Sequence, residues 1–183
     1  MSVPQDPRNV ALREIHSAEE VQARIDALAE RMLRDYAGRS PVFVVIAEGA
    51  RRFAGELVKR LAAQSVRPEV VFLRASRTRG SNLVPVQVEP VNPSRFTGRE
   101  VLIVDDVADE GRTLEAVASL VWGGEPCTLR AAVLVRKDPE RRLKIAIDYV
   151  GFELKEGWVV GVGMDLDDRF RDLDYLAVAK GSL

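Results

Sequence analysis

Apolar residues are spaced along the chain in two different periods. From Val21 to about Tyr36 they recur at helical spacing, at Val21, Ile25, Leu28, Met32 and Leu33, which predicts an amphipathic helix. Ser17 and Glu20 form a capping box ahead of it, and Gly38 ends it. Elsewhere the apolar residues come in short runs: 42–46, 69–73, 101–104, 129–135, 147–152 and 158–161. Runs this short, rich in valine and isoleucine, predict strands buried on both faces. Between some of them lie helical stripes, Phe53, Leu57 and Leu61, then Leu114, Val117, Ala118 and Val121, with Trp122-Gly123-Gly124 closing the second. Strands alternating with helices predict an α/β fold, a mostly parallel twisted sheet flanked by helices on both faces.

Two stretches break the pattern. Residues 1–15 are polar, with Pro4 and Pro7, and predict an extended N-terminal arm. Residues 75–95 hold Arg77, Arg79 and Arg95 among Pro85, Pro90 and Pro93. A long structureless stretch inside a compact domain predicts a functional loop, such as a lid. The whole of 1–183 is expected to be a single domain.

Composition narrows the class. Hydrophobic residues make up 46% and charged residues 30% of the chain, a globular balance. Lys+Arg 27 against Asp+Glu 28 leaves a net charge of -1, which argues against a dedicated nucleic-acid binder. The lone Cys127 fits a reducing compartment, and with His16 it makes no zinc site of ordinary type. His16, ahead of the cap, is expected at the surface. No run is long enough to span a membrane and no signal-peptide core follows Met1. The expectation is a cytoplasmic protein without membrane attachment.

The candidate chemistry is concentrated in Val101–Leu114. The strand run is followed by Asp105, Asp106 and Asp109, then Glu110, Gly111, Arg112 and Thr113, then a helix. Two adjacent carboxylates repel unless a cation or hydroxyl donors lie between them. Gly111 permits close backbone approach, Thr113 offers an N–H and a hydroxyl, and a helix N-terminus attracts anions. Acidic groups beside phosphate-binding amides suggest a phosphorylated ribose; a solvated acidic turn capping the helix is the simpler alternative.

This stretch resembles the phosphoribosyl-pyrophosphate signature of type I phosphoribosyltransferases. Asp148-Tyr-Val-Gly-Phe-Glu and Trp158-Val-Val-Gly-Val-Gly-Met-Asp165 resemble its hypoxanthine-guanine branch, and the similarity runs from about Pro41 to Val178. The resemblance implies that fold, with a small hood and a mobile lid, and transfer of 5-phosphoribosyl from phosphoribosyl pyrophosphate to a 6-oxopurine, with Mg²⁺ as cofactor. It implies Asp109 as the catalytic carboxylate and Asp105 and Asp106 at the ribose, directly or through Mg²⁺. Glu110 to Thr113 would hold the 5-phosphate, and Asp165 a second Mg²⁺. Gly49 and Arg171 would meet pyrophosphate. Trp158 and Val159 would meet the purine, with Lys137 preferred over Arg136 as donor to the 6-oxo group. A homodimer or homotetramer is implied as well.

The sequence departs from the family at three positions. Glu48 stands where a basic or polar residue is usual in the pyrophosphate turn, so only backbone groups such as the Gly49 amide carry over. Ser76-Arg77 replaces Ser-Tyr in the lid; Arg77 either binds pyrophosphate or belongs to a solvated basic loop. Glu110 replaces a small hydroxyl residue and is expected to point outward. Trp158 as a core residue and Asp165 as part of a solvated turn with Asp167 and Asp168 are the plainer alternatives there. At the level of function, the alternatives are a xanthine-preferring enzyme and a non-catalytic nucleotide-binding regulator.

Overall fold

The computed structural model describes residues 10–76, 86–140, 143, 145–155 and 157–179. Among these, six strands form the main sheet in the order β4-β3-β2-β5-β6-β7: Gln87–Val88, Glu69–Ser76, Val42–Ala47, Glu100–Ala108, Thr128–Lys137 and Tyr149–Leu154. The five longer strands run parallel, and β4 pairs antiparallel with β3. A smaller antiparallel sheet joins β1 (Leu12–His16), β9 (Leu176–Ala179) and β8 (Trp158–Val160).

Alternation within the central strands divides the core between two helix layers. Phe43 and Val45 of β2, with Leu102 and Val104 of β5, face α1 (Ala18–Asp35) and α2 (Arg51–Ala63). Val42, Val44, Val101 and Ile103 face the other way, onto Leu114, Val117 and Val121 of α3 (Arg112–Trp122). Both faces of these strands are therefore covered, which explains their continuous apolar runs. The Ser17 capping box forms as predicted, with Glu20 N–H donating to Ser17 Oγ and Ser17 N–H to Glu20 Oε2.

Three expectations are corrected. Residues 12–16 of the expected arm are a strand, because β9 offers an antiparallel partner from the far end of the chain. The expected loop over 75–95 is partly built. β3 runs to Ser76, β4 returns along it, and Asn92 caps a 3-10 turn over Pro93–Arg95. Arg95, in that turn, is tied to Glu69 of β3 at 2.7 Å, which fastens this end of the stretch to the sheet. The tip of that loop, Arg77 included, lies outside the described residues. Third, β5 continues past Val104 to Ala108, so Asp105 and Asp106 are strand residues. No described helix is long and apolar enough to cross a membrane.

Candidate active site

The site follows from the winding of the sheet. From β2 the chain passes through α2 to β3 on one side; from β5 it passes through α3 to β6 on the other. β2 and β5 pair only over Val42–Val45 and Val101–Val104, and beyond that register the two strands part. A crevice opens at the carboxyl ends of the strands where the winding reverses, the usual ligand position in open α/β sheets. Here it is a cleft of about 320 Å³. Its walls include Gly49, Asp105, Asp106, Asp109, Glu110, Gly111, Arg112, Thr113, Lys137, Trp158, Val159 and Asp165. Fold topology thus gathers residues more than a hundred positions apart in sequence.

Asp105 is the one charged side chain buried among the described residues. Its Oδ1 accepts the Asp106 N–H at 3.0 Å, and Asp106 Oδ1 accepts the Val107 N–H at 2.8 Å. Burial first, then the charge of Asp106, holds the Asp105 carboxyl well above the usual carboxylate range. Burial also raises Asp106, against the opposing pull of its hydrogen bonds and of Arg171. A buried oxygen pair of this kind fits a hard divalent cation such as Mg²⁺. Asp106 lies directly against the backbone of Gly49: a Cβ at position 49 would stand 1.8 Å from Asp106 Oδ2. Any side chain there would displace the Asp106 carboxylate.

The Ala47–Glu48 peptide is cis. Glu48 itself is drawn away from the cleft, into an ion pair with Arg51 at 2.8 Å and towards Arg74 at 3.9 Å. That placement removes the repulsion its charge would exert on an anion beside Gly49.

At the other wall, Gly111 takes a left-handed conformation (φ 74°) as the N-cap of α3 and supplies no side-chain cap. The first turn of α3 therefore meets the cleft without a side-chain cap from Gly111, at the positive end of the helix dipole, where an anion is favoured. Glu110 is among the residues lining the cleft, and its carboxylate pairs with Arg112 at 3.1 Å.

Arg136 and Lys137 are placed on different sides of the cleft wall. Arg136 turns out of the cleft, donating to Pro139 O at 2.9 Å and lying 3.9 Å from Glu153. Lys137 turns in: its Nζ is 3.4 Å from Asp109 Oδ2 and 5.8 Å from the centre of the Trp158 ring. Trp158 is 43% exposed, so the core alternative fails. Its indole N–H donates to the Asp165 carbonyl at 2.8 Å. Asp165 accepts the Asp168 N–H at 2.8 Å and pairs with Arg171 at 3.0 Å. Arg171 also reaches Asp168 and the Gly163 carbonyl, each at 3.0 Å, and stands behind Asp165 instead of in the cleft wall. Ala47, Ala75 and Met164, given no role from the sequence, also line the cleft.

Residues 11–167 match the family model of the phosphoribosyl transferase domain. The chain is 31% identical over 179 residues to the hypoxanthine-guanine phosphoribosyltransferase of Mycobacterium tuberculosis, covering 94% of this chain and 86% of that protein. It is 30% identical over 166 residues to the bifunctional protein TilS/HprT of Listeria monocytogenes, covering 90% of this chain; it spans 25% of that protein's length. A crystal structure of a hypoxanthine-guanine phosphoribosyltransferase from Bacillus anthracis superposes with a TM-score of 0.81 at 25% identity, over 92% of this chain and 99% of that one.

Proposed function

The chain belongs to the phosphoribosyl transferase family, and from that premise we propose that it transfers 5-phosphoribosyl from phosphoribosyl pyrophosphate to hypoxanthine or guanine, yielding IMP or GMP and pyrophosphate. One observation carries this reading: a carboxylate pair, an uncapped helix N-terminus and a Lys137–Trp158 pair converge on one cleft. Each element suits a different part of one reaction.

The 5-phosphate would take the first-turn N–H groups of α3 and the Thr113 hydroxyl, with Glu110, Gly111 and Arg112 forming the surrounding turn. Asp105 and Asp106 would accept from the ribose hydroxyls. As the bond from the sugar carbon to pyrophosphate breaks, positive charge develops on the ribose and the electron pair leaves with pyrophosphate. A carboxylate about 4 Å from that charge contributes roughly 4 kcal/mol at an effective dielectric near 20. The contribution is greater in the transition state than in the neutral substrate, as catalysis requires. The purine nitrogen forms the new bond and gives its proton to Asp109, a step in which general base action contributes about 10²–10⁴-fold.

Trp158 would stack on the purine face and Val159 meet its edge through backbone groups. Lys137 carries three donors and no acceptor, so it would favour a 6-oxo over a 6-amino purine. Gly49 would lend its amide to pyrophosphate, while Arg171 would reach it after leaving Asp165; Arg77 is proposed for the same anion on sequence grounds alone. Mg²⁺ would be held at Asp105 and Asp106, and a second Mg²⁺ at Asp165, where the ions would neutralise pyrophosphate charge when bound. As an assembly we expect a homodimer or homotetramer.

An absorbance assay of nucleotide formation tests the proposal. It pairs phosphoribosyl pyrophosphate and Mg²⁺ with hypoxanthine, guanine, xanthine and adenine in turn. Turnover is expected on hypoxanthine or guanine, with adenine lower by about 10⁴-fold. Asp109→Ala should lose about 10²–10⁴-fold in kcat. No turnover on any base would refute the proposal.

A further inference from the structure

Trp158 does more than present an aromatic face. Its single polar atom, the indole N–H, is spent on the carbonyl of Asp165 at 2.8 Å. The same Asp165 holds the Asp168 N–H with one carboxylate oxygen and the Arg171 guanidinium with the other. Arg171 in turn donates to the Gly163 carbonyl, and the Gly163 N–H donates back to the Arg171 carbonyl at 2.9 Å. On the other side of the ring, Lys137 stands over the indole and against Asp109. Interactions therefore link Asp109 to Lys137, Lys137 to the Trp158 ring at a cation–π distance of 5.8 Å, Trp158 to Asp165 and Asp165 to Arg171. In the proposed function these are the purine end and the cation-and-pyrophosphate end of one site.

From this chain of contacts we infer that the Trp158 N–H to Asp165 carbonyl bond is a positioning strut, coupling occupancy of the two ends of the cleft. Phenylalanine would keep an aromatic face, a smaller one, and lose the strut. The inference rests on the functional reading above. When a cation takes the Asp165 carboxylate and Arg171 is released, the Asp165 backbone shifts with them, and the bonded indole edge follows. A purine stacked on Trp158 meets a ring already set by the far end. By linkage the effect is reciprocal: the purine must favour the cation and pyrophosphate by the same factor. Trp158 is a positioning residue in this respect, acting through Asp165.

Two measurements test the strut. The first is calorimetric titration of hypoxanthine into the protein, with and without Mg²⁺ pyrophosphate, for the natural chain and for Trp158→Phe. The natural chain should bind hypoxanthine at least about 5-fold more tightly when Mg²⁺ pyrophosphate is present, the lower range of measured couplings. In Trp158→Phe that ratio should fall to about 1, whatever hypoxanthine affinity the variant shows without pyrophosphate, because the ratio is taken within each protein. The second is tryptophan emission in a Trp122→Phe background, where Trp158 is the remaining tryptophan. Mg²⁺ pyrophosphate alone should shift that emission with no purine present. A coupling ratio equal in the two proteins, or a ratio of 1 in the natural chain, overturns the strut and leaves the functional reading standing. Failure of the natural chain to bind hypoxanthine under either condition overturns both.

Discussion

Single residues in the cleft are placed against their own stability. Asp105 is buried beside Asp106, and both carboxyls are held above their usual range, chiefly by burial. A raised value in the folded state means that folding favours the protonated form. The favourable contribution is complete below the ordinary carboxylate range, near pH 4, and is lost as pH rises through the raised value. Above the raised value, where both carboxyls are charged, the pair opposes folding. Asp105→Asn should relieve this. Asn Oδ1 can still accept the Asp106 N–H, and its amide can donate to the Asp106 carboxylate. We expect a thermal midpoint raised by about 2–4 °C at pH 7, as about 1 kcal/mol gives in a chain of this size. Activity should fall by about 10²–10³-fold, since a preorganised charge at the developing cation is lost. A scanning calorimetry trace beside the nucleotide assay checks both; a lowered midpoint would contradict the repulsion argument.

At the scale of elements, the turn into α3 decides how the phosphate end is built. Gly111 holds φ 74°, and a Cβ there would come within 2.6 Å of Leu143 Cδ2. Gly111→Ala should cost about 1–2 kcal/mol for the left-handed backbone alone. It should also raise the KM for phosphoribosyl pyrophosphate by about 10-fold, with a smaller change in kcat, because the displaced amides bind the phosphate in ground and transition states alike. Unchanged KM would separate this turn from phosphate binding. The turn was legible in sequence because everything it needs lies within Asp105–Thr113. Strand ends were less legible. The apolar run stops at Val104, where burial from β2 stops, yet β5 continues to Ala108 because β6 still pairs with it. The same holds for β3, which β4 extends to Ser76. Pairing across the ladder leaves no trace in one strand's own pattern. β1 and β9 were missed for that reason, each too short to be recognised without the other. The path from Trp158 to Arg171 was hidden differently: its key acceptor is a backbone carbonyl, which every residue has.

Across the whole molecule the two ends of the sheet serve different purposes. The carboxyl ends of the strands hold the cleft; the amino ends hold a polar cluster that fastens α1 to β6 and β7. Tyr149, at the start of β7, donates its hydroxyl to Asp35 Oδ2 at 2.7 Å and accepts from Arg130 at 3.0 Å, while Arg130 lies 3.3 Å from Asp35. The Arg130 guanidinium also stands over the Tyr36 ring, and both tyrosines are buried. Burial, with the bond to Asp35, pushes the Tyr149 hydroxyl up to about 12, and burial raises Tyr36 as well. The folded state thus keeps protons that the unfolded chain releases near pH 10. Stability from this cluster is complete below pH 10 and lost as pH rises from there towards 12. Tyr149→Phe removes two hydrogen bonds from a neutral hydroxyl to charged partners and should cost at least about 1.5 kcal/mol at pH 7. It should also flatten the alkaline decline by up to about 1.4 kcal/mol per pH unit, one proton's share. Urea midpoints at pH 7, 10, 11 and 12 would show both effects. Because the cluster stands at the opposite end of the sheet from Asp109, kcat at pH 7 should remain within about 2-fold of the natural chain, as expected for well-separated sites. A large loss of kcat would mean that the packing of α1 against the sheet also sets the geometry of the cleft.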